Sequence, residues 1–195
     1  MRHAHMELTP HLTSLLSFSF CAFSASQEAV VDAFVGWQKA ILEPLGASLA
    51  VSLTERRGYE ALPLMPPLVT PVPTRYAFIQ WTSGWVLMIS NSLIGADSGQ
   101  ASQISQLCQC IGLKALSRNG SIARDGSPNA YGATIFESFK SGDAARSLFC
   151  ANDGGKWVFG QSGVPYAGED PAAYSRKPVK TRFDAIALAK LLASM

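Results

Sequence analysis

The chain reads as an α+β domain: a mostly antiparallel sheet built from hairpins, with an N-terminal β-α-β unit and C-terminal helices. Three observations predict it. Two strand-like apolar runs, residues 75–82 and 85–90, flank a Thr82-Ser83-Gly84 break between Trp81 and Trp85, which places a hairpin at the heart of a sheet. A matching event follows where residues 146–151 meet Asn152-Asp153-Gly154-Gly155 and return as residues 156–159. Between and around these hairpins, runs at helical spacing interrupt a meander of strands, an arrangement of the α+β class and not of a doubly wound parallel sheet.

The elements follow in order. Residues 1–6 have the look of a tag-like or flexible tail. Residues 17–23 alternate as a half-buried strand does. The alternative is a secretory leader, since Arg2 precedes an apolar stretch that ends in Ser24-Ala25-Ser26; Ser14, Ser17 and Ser19 interrupt that stretch and favour the strand. Ser24 and Gln27 have capping-box spacing, and Val30, Phe34, Trp37 and Ile41 recur at helical intervals until Pro44 and Gly46. Residues 47–53 alternate again, completing a β-α-β subdomain over residues 7–62. A proline-rich linker over 63–74 separates it from a main domain over 75–195; a single compact domain joining 7–62 to the rest is the alternative. Asp97 or Ser98 caps a helix bearing Ile104, Leu107, Cys108 and Ile111, which Gly112 ends. Strands over 113–116 and 131–139 enclose a polar loop. The tail supplies two helices, one capped by Asp170 before Pro171 and one starting at Asp184.

Composition bounds the function. Of 195 residues 48% are apolar and 15% charged, so the chain has the makings of a substantial core and is not disordered. The net charge of +2 predicts neither nucleic acid nor membrane as a partner, and no apolar run approaches the ~18 residues of a membrane span. Arg176, Lys177, Lys180, Arg182 and Lys190 crowd the C-terminal segment as a solvated basic face. Four cysteines outside any dense scaffold point to a reduced, cytoplasmic chain. Cys108 and Cys110 lack C-x-x-C spacing, so they are expected to act as small hydrophobes.

Candidate chemistry is mostly absent. The histidines, His3, His5 and His11, all lie near the N-terminus, which removes Ser-His-Asp and Cys-His triads and the H-E-x-x-H zinc site. Neither Gly154-Gly155 nor the Gly160 and Gly163 pair lies between a strand and a helix, as a phosphate-binding loop requires. No metal site and no cofactor are expected. The carboxylates available for paired work are Asp97, Glu137, Asp153, Glu169 and Asp170; Glu137 is expected on a solvent face, and Asp170 as a cap. Trp81, Trp85 and Trp157 are expected mainly in the core, with at least one of the first two near the surface.

From Trp81 onward the chain resembles a family of uncharacterised bacterial proteins. The resemblance rests on the Trp81-to-Trp85 hairpin, Asn91 with Gly95-x-Asp97, Cys150-Ala151-Asn152-Asp153-Gly154-Gly155-Lys156-Trp157-x-Phe159, Ser162-Gly163-x-Pro165, Glu169 with Tyr174, and Arg182-Phe183. In size and hairpin-rich make-up such proteins are similar to immunity proteins that neutralise bacterial toxins, an analogy of fold. It implies a non-catalytic cytoplasmic binding protein that occludes the active site of a protein partner, a toxin. The residues expected to contact the partner are Trp85, Asn91, Asp97, Asn152, Asp153 and Glu169. Two alternatives stand beside it. One is a histidine-independent hydrolase or transferase in which carboxylates such as Asp153 and Glu169 converge. The other is a homo-oligomeric module that buries the apolar stripe of its C-terminal helix in a second copy.

Overall fold

The computed structural model describes residues 17–52, 75–82, 84–92, 97–122 and 128–195. Its centre is a seven-stranded antiparallel sheet in the order β2-β3-β1-β4-β7-β8-β9. The strands are β1 (Ser17–Phe23), β2 (Tyr76–Thr82), β3 (Trp85–Ser90), β4 (Ile111–Arg118), β7 (Ala133–Lys140), β8 (Asp143–Asp153) and β9 (Lys156–Gly163). A small ladder pairs β5 (Ser121–Ile122) with β6 (Pro128–Ala130). Helices α1 (Gln27–Leu42) and α2 (Ser98–Leu107) precede and follow the first hairpin, and α3 (Ala185–Ala193) closes the chain. The α+β class holds.

Period-2 alternation gives the sheet two apolar faces. On one, Phe20, Ala22, Leu113, Ala115, Phe136, Leu148 and Cys150 pack under the C-terminal segment, including Tyr174, Phe183, Leu188, Leu191 and Leu192. On the other, Cys21, Phe23, Val86 and Met88 meet Val30 and Phe34 of α1 and Ala101 and Ile104 of α2. Both β1 and the hairpin therefore belong to one sheet with the later strands. The described part of the predicted 7–62 subdomain shares its core with residues 75–195. The linker over 63–74 lies outside the described residues, as do residues 1–6 and 12–16.

Several local expectations change. The Trp81–Trp85 hairpin forms the edge of the sheet and not its heart, because β1 takes the inner side of β3. The returning strand over 47–53 does not form: residues 47–52 adopt no regular structure, and Leu53 lies outside the described residues. Both neighbours of β1 are already strands, β3 and β4, so no ladder is left there for it. Ser26, not Ser24, caps α1, accepting from the Ala29 amide at 3.2 Å. Ser24 Oγ instead accepts from the Ile111 amide at 2.9 Å, and Gln27 Nε2 donates to the Phe78 carbonyl at 3.0 Å. Pro44 and Gly46 do end α1, through a 3₁₀ turn over Glu43–Leu45 and a left-handed Gly46. α2 stops at Leu107, five residues before Gly112, which lies in β4 between Phe23 and Phe139; a Cβ there would come within 2.6 Å of the Ala101 carbonyl. Leu107 itself is exposed.

Asp97 caps α2 with the reciprocal Gln100 contact of a capping box, and Asp184 caps α3 by accepting from the Ala187 amide at 2.9 Å. Asp170 does not cap. It precedes the 3₁₀ turn Pro171–Ser175, and its carboxylate pairs with Arg176 at 3.3 Å on the surface. Most of the apolar stripe of α3 lies in the chain's own core, with Leu188, Leu191 and Leu192 buried, which leaves Ile186 exposed. Among the described residues no helix is long and apolar enough to cross a membrane.

Candidate functional site

The two hairpin turns do not converge. Following the antiparallel order, the β2–β3 turn lies at one end of the sheet and the β8–β9 turn at the other, on opposite edges. Gly154 and Gly155, at φ +58° and +95°, form the two-residue turn with two left-handed positions that suits a hairpin's twist. Asn152 supports it: its Oδ1 accepts from the Gly155 amide at 2.8 Å. Asp153 is exposed and paired in register with Lys156. Trp85 is half-buried, edge-on to Trp81 at 6.4 Å between ring centres, and Trp81 in turn meets Phe20.

Asn91 and Asp97 are tied to the frame. Asn91 is 1% exposed and its Oδ1 accepts from the Arg75 amide at 2.7 Å. The Asp97 carboxylate accepts from the Gly99 amide at 3.0 Å, and its carbonyl receives the Cys21 thiol at 3.6 Å. Burial pushes that thiol up to about 12. Glu137, expected to face solvent, is half-buried in a polar cluster with α2: Ser98 Oγ donates to it, and Lys114 Nζ lies 3.5 Å from it and 2.9 Å from Ser98 Oγ. Residues at opposite charge across β4 and β7 thus anchor the first turn of α2 to the sheet.

Glu169 is the most constrained of the expected contact residues. Both its side chain and that of Arg146 are 1% exposed. Arg146 directs Nε to Glu169 Oε1 (2.9 Å), Nη2 to Glu169 Oε2 (2.5 Å) and Gln161 Oε1 (2.8 Å), and Nη1 to the carbonyls of Ser162 (2.9 Å) and Gly163 (3.0 Å). All five guanidinium N–H groups are used. Glu169 also accepts from the Tyr166 amide (2.8 Å) and the Tyr174 hydroxyl (2.6 Å), so its four lone-pair positions are filled. Burial raises its pKa, but the bonds from Arg146, Tyr174 and Tyr166 outweigh that and hold it below its ordinary value. A carboxylate so saturated offers nothing to a substrate or a partner. Asp153 does not approach it: Arg146 pairs with Gly163 at one end of the β8–β9 ladder and Asp153 lies at the other, about 23 Å of extended strand away.

Beside this pair, a cavity of about 150 Å³ opens between the 3₁₀ turns and α3, lined by Glu169, Arg176, Arg182, Asp184 and Lys190 among others. It is small against the ~300–1,000 Å³ of most ligand pockets. Its arginines already have partners: Arg176 pairs with Asp170, and Arg182 Nε donates to the Arg176 carbonyl at 2.8 Å. Among the described residues no group of three or more His, Cys, Asp or Glu side chains is placed to hold a metal ion.

A further surface escaped the sequence reading. On the helix side of the sheet, Leu116, Ile135 and Phe149 stand opposite one another across β4, β7 and β8, half-buried and outside both core clusters. Gly160 of β9 continues the row, with Phe149 lying against it, and exposed Val158 extends the patch to the edge strand. Arg118 and the Asp153–Lys156 pair border it. α2 covers the other end of these strands, holding Gly142 through Ser102 and Ser105. The signal was available: β7 and β8 carry apolar residues at both alternating positions, where a sheet with one wet face would carry polar ones.

Comparisons with family models, with curated proteins and with solved structures find no match.

Proposed function

We propose that this chain is a non-catalytic cytoplasmic protein of the immunity type, which binds and occludes a protein toxin through the open half of its helix-side sheet face. The observation that carries this reading is the in-register row Leu116, Ile135 and Phe149, extended to Val158, over which no described helix lies. Apolar residues in such a row supply the core of an interface, and Arg118 and Lys156 favour a partner with carboxylates around its own apolar patch. Of the residues first expected to make contact, Asp153 alone borders this face. The carboxylate-based hydrolase reading weakens with the saturation of Glu169 and its distance from Asp153.

The test is co-expression with the product of the adjacent gene. The full chain should relieve that product's toxicity and co-purify with it, and Val158→Glu and Ile135→Glu should each weaken binding at least tenfold, with melting temperatures near that of the parent. Absence of any complex, or variants that bind as tightly as the parent, would overturn it. A dimer by light scattering that Val158→Glu splits would replace the toxin with a second copy as the occupant.

A further inference from the structure

The two edges of the sheet are finished differently. At β2, α1 packs against the strand through Phe34, whose ring centre lies 4.7 Å from that of Tyr76 and 5.1 Å from that of Phe78, and Gln27 occupies the Phe78 carbonyl. A register shift between Gln80 and Thr82 bends the end of the strand, and Gln80 Nε2 donates to the carbonyls of Thr82 and Trp85. Helix cover and a bulge protect an edge from further pairing. β9 has neither, since its ladder with β8 runs without a register shift. The hairpin closes on Asp153 and Lys156, so Lys156, Val158, Gly160 and Ser162 are bonded to β8, and the amides and carbonyls of Trp157, Phe159 and Gln161 point outward. Among the described residues no backbone hydrogen bond reaches these groups from another element. Residues 157–163 also carry no charge and no proline to discourage a further strand. The 3₁₀ turn Val179–Thr181 lies over the sheet face and not beyond its edge, the Val179 carbonyl accepting from the Cys150 thiol of β8 at 3.2 Å.

The two sides of this free edge differ in chemistry. On the helix side Val158 is exposed and the Phe149 ring lies against Gly160, so the row Leu116–Ile135–Phe149 runs out to the edge. On the side of the C-terminal segment, Lys180 Nζ lies 5.5 Å from the Trp157 ring centre, and the Arg182 guanidinium lies 5.9 Å from that of Phe159. The acids nearby are engaged, Asp170 with Arg176 and Asp184 at the cap of α3. We propose that a protein partner adds an extended strand to β9, its apolar residues on the helix side alternating with acidic residues on the side of Lys180 and Arg182. That strand belongs to the toxin of the immunity reading, on which the assignment rests. The outward groups of Trp157, Phe159 and Gln161 bond its main chain whatever its sequence, and the alternate side chains set the choice of partner. An apolar residue opposite Gly160 continues the row against Phe149. Acidic residues opposite Trp157 and Phe159 meet the two cations, a complementarity that rejects a basic segment.

The probe is a short acetylated and amidated peptide of alternating valine and glutamate, titrated at neutral pH into the isotope-labelled full chain, with a valine–lysine peptide as control. The amide resonances of Trp157, Phe159 and Gln161 should shift saturably and their hydrogen exchange should slow, while Val158 and Gly160, already bonded to β8, keep their protection. The valine–lysine peptide should bind at least tenfold more weakly, and Lys180→Glu should bring the two affinities together. Ile135→Glu, which lies two strands in from the edge, should leave peptide binding intact. Peptide binding by a chain that forms no complex with the adjacent gene's product would support the edge as an acceptor of acidic strands and fail the immunity reading alone. No saturable shift at the three amides, or equal affinity for the two peptides, would overturn the proposal even where the toxin complex forms.

Discussion

Arg146 and Glu169 form a two-point ion pair, Nε to Oε1 at 2.9 Å and Nη2 to Oε2 at 2.5 Å, with both side chains 1% exposed. Such a pair contributes little net stability relative to an apolar replacement, yet removing one partner strands the other charge without solvent. Glu169→Gln should therefore destabilise the protein by about 3–5 kcal/mol in urea unfolding. A loss below about 1 kcal/mol would show that water reaches the guanidinium.

The same pair sets a pH dependence. The folded-state pKa of Glu169 lies below its ordinary 4.5, so protonation favours the unfolded chain. Its contribution is complete above that ordinary value and is lost as pH falls below it towards the folded-state pKa. Melting temperatures measured from about pH 7 down to about pH 3 should show the gap between the parent and Glu169→Gln narrowing with acid.

Gly160 and Gly163 sit in the edge strand for different reasons. A Cβ at Gly160 would come within 2.3 Å of the Phe149 ring, whereas Gly163 combines φ +82° with a Cβ position 2.0 Å from the Ala145 carbonyl. Gly160→Val should cost about 1–3 kcal/mol by displacing a ring that has room to tilt. Gly163→Ala should cost more, since the backbone must move and with it the carbonyl that Arg146 grips. Equal losses in thermal unfolding would contradict this ranking.

Two aspartates at apparent helix starts separate cleanly. Asp184→Ala removes the bond to the Ala187 amide and should cost about 0.5–2 kcal/mol, while Asp170→Ala breaks only a surface ion pair and should stay within about 0.5 kcal/mol. Chemical denaturation of the two variants side by side checks the difference.

Local rules carried most of the fold. The Asn152-to-Gly155 turn, the caps Asp97 and Asp184 and the alternation of residues 17–23 were legible because each depends on a few neighbouring residues. The errors arose where long-range pairing decides. Residues 47–52 alternate as a strand does but have no free ladder beside β1. Gln109 ends α2 in a conformation that glycine usually takes, so Gly112 drew the boundary too far.

The site was less legible for the same reason. Asn91 and Glu169 have the polar character of contact residues, but their partners, the Arg75 amide and the Arg146 side chain, lie 16 and 23 residues away and meet them only once the strands are folded. A single sequence shows that a carboxylate is present and not that four donors, two of them from Arg146, close around it. The Leu116–Ile135–Phe149 row likewise exists only once three strands are in register.

The position of β1 bears on how the chain is made. Ser17–Phe23 finds its neighbours in Val86–Met88 and Gly112–Arg118, which leave the ribosome much later. An early strand of phenylalanines without edges to pair must wait, exposed, while the meander β7–β8–β9 closes from neighbouring segments last. Newly made chains are thus most vulnerable to aggregation through their first strand, and synthesis that stalls before Gly112 would leave it without its longer ladder.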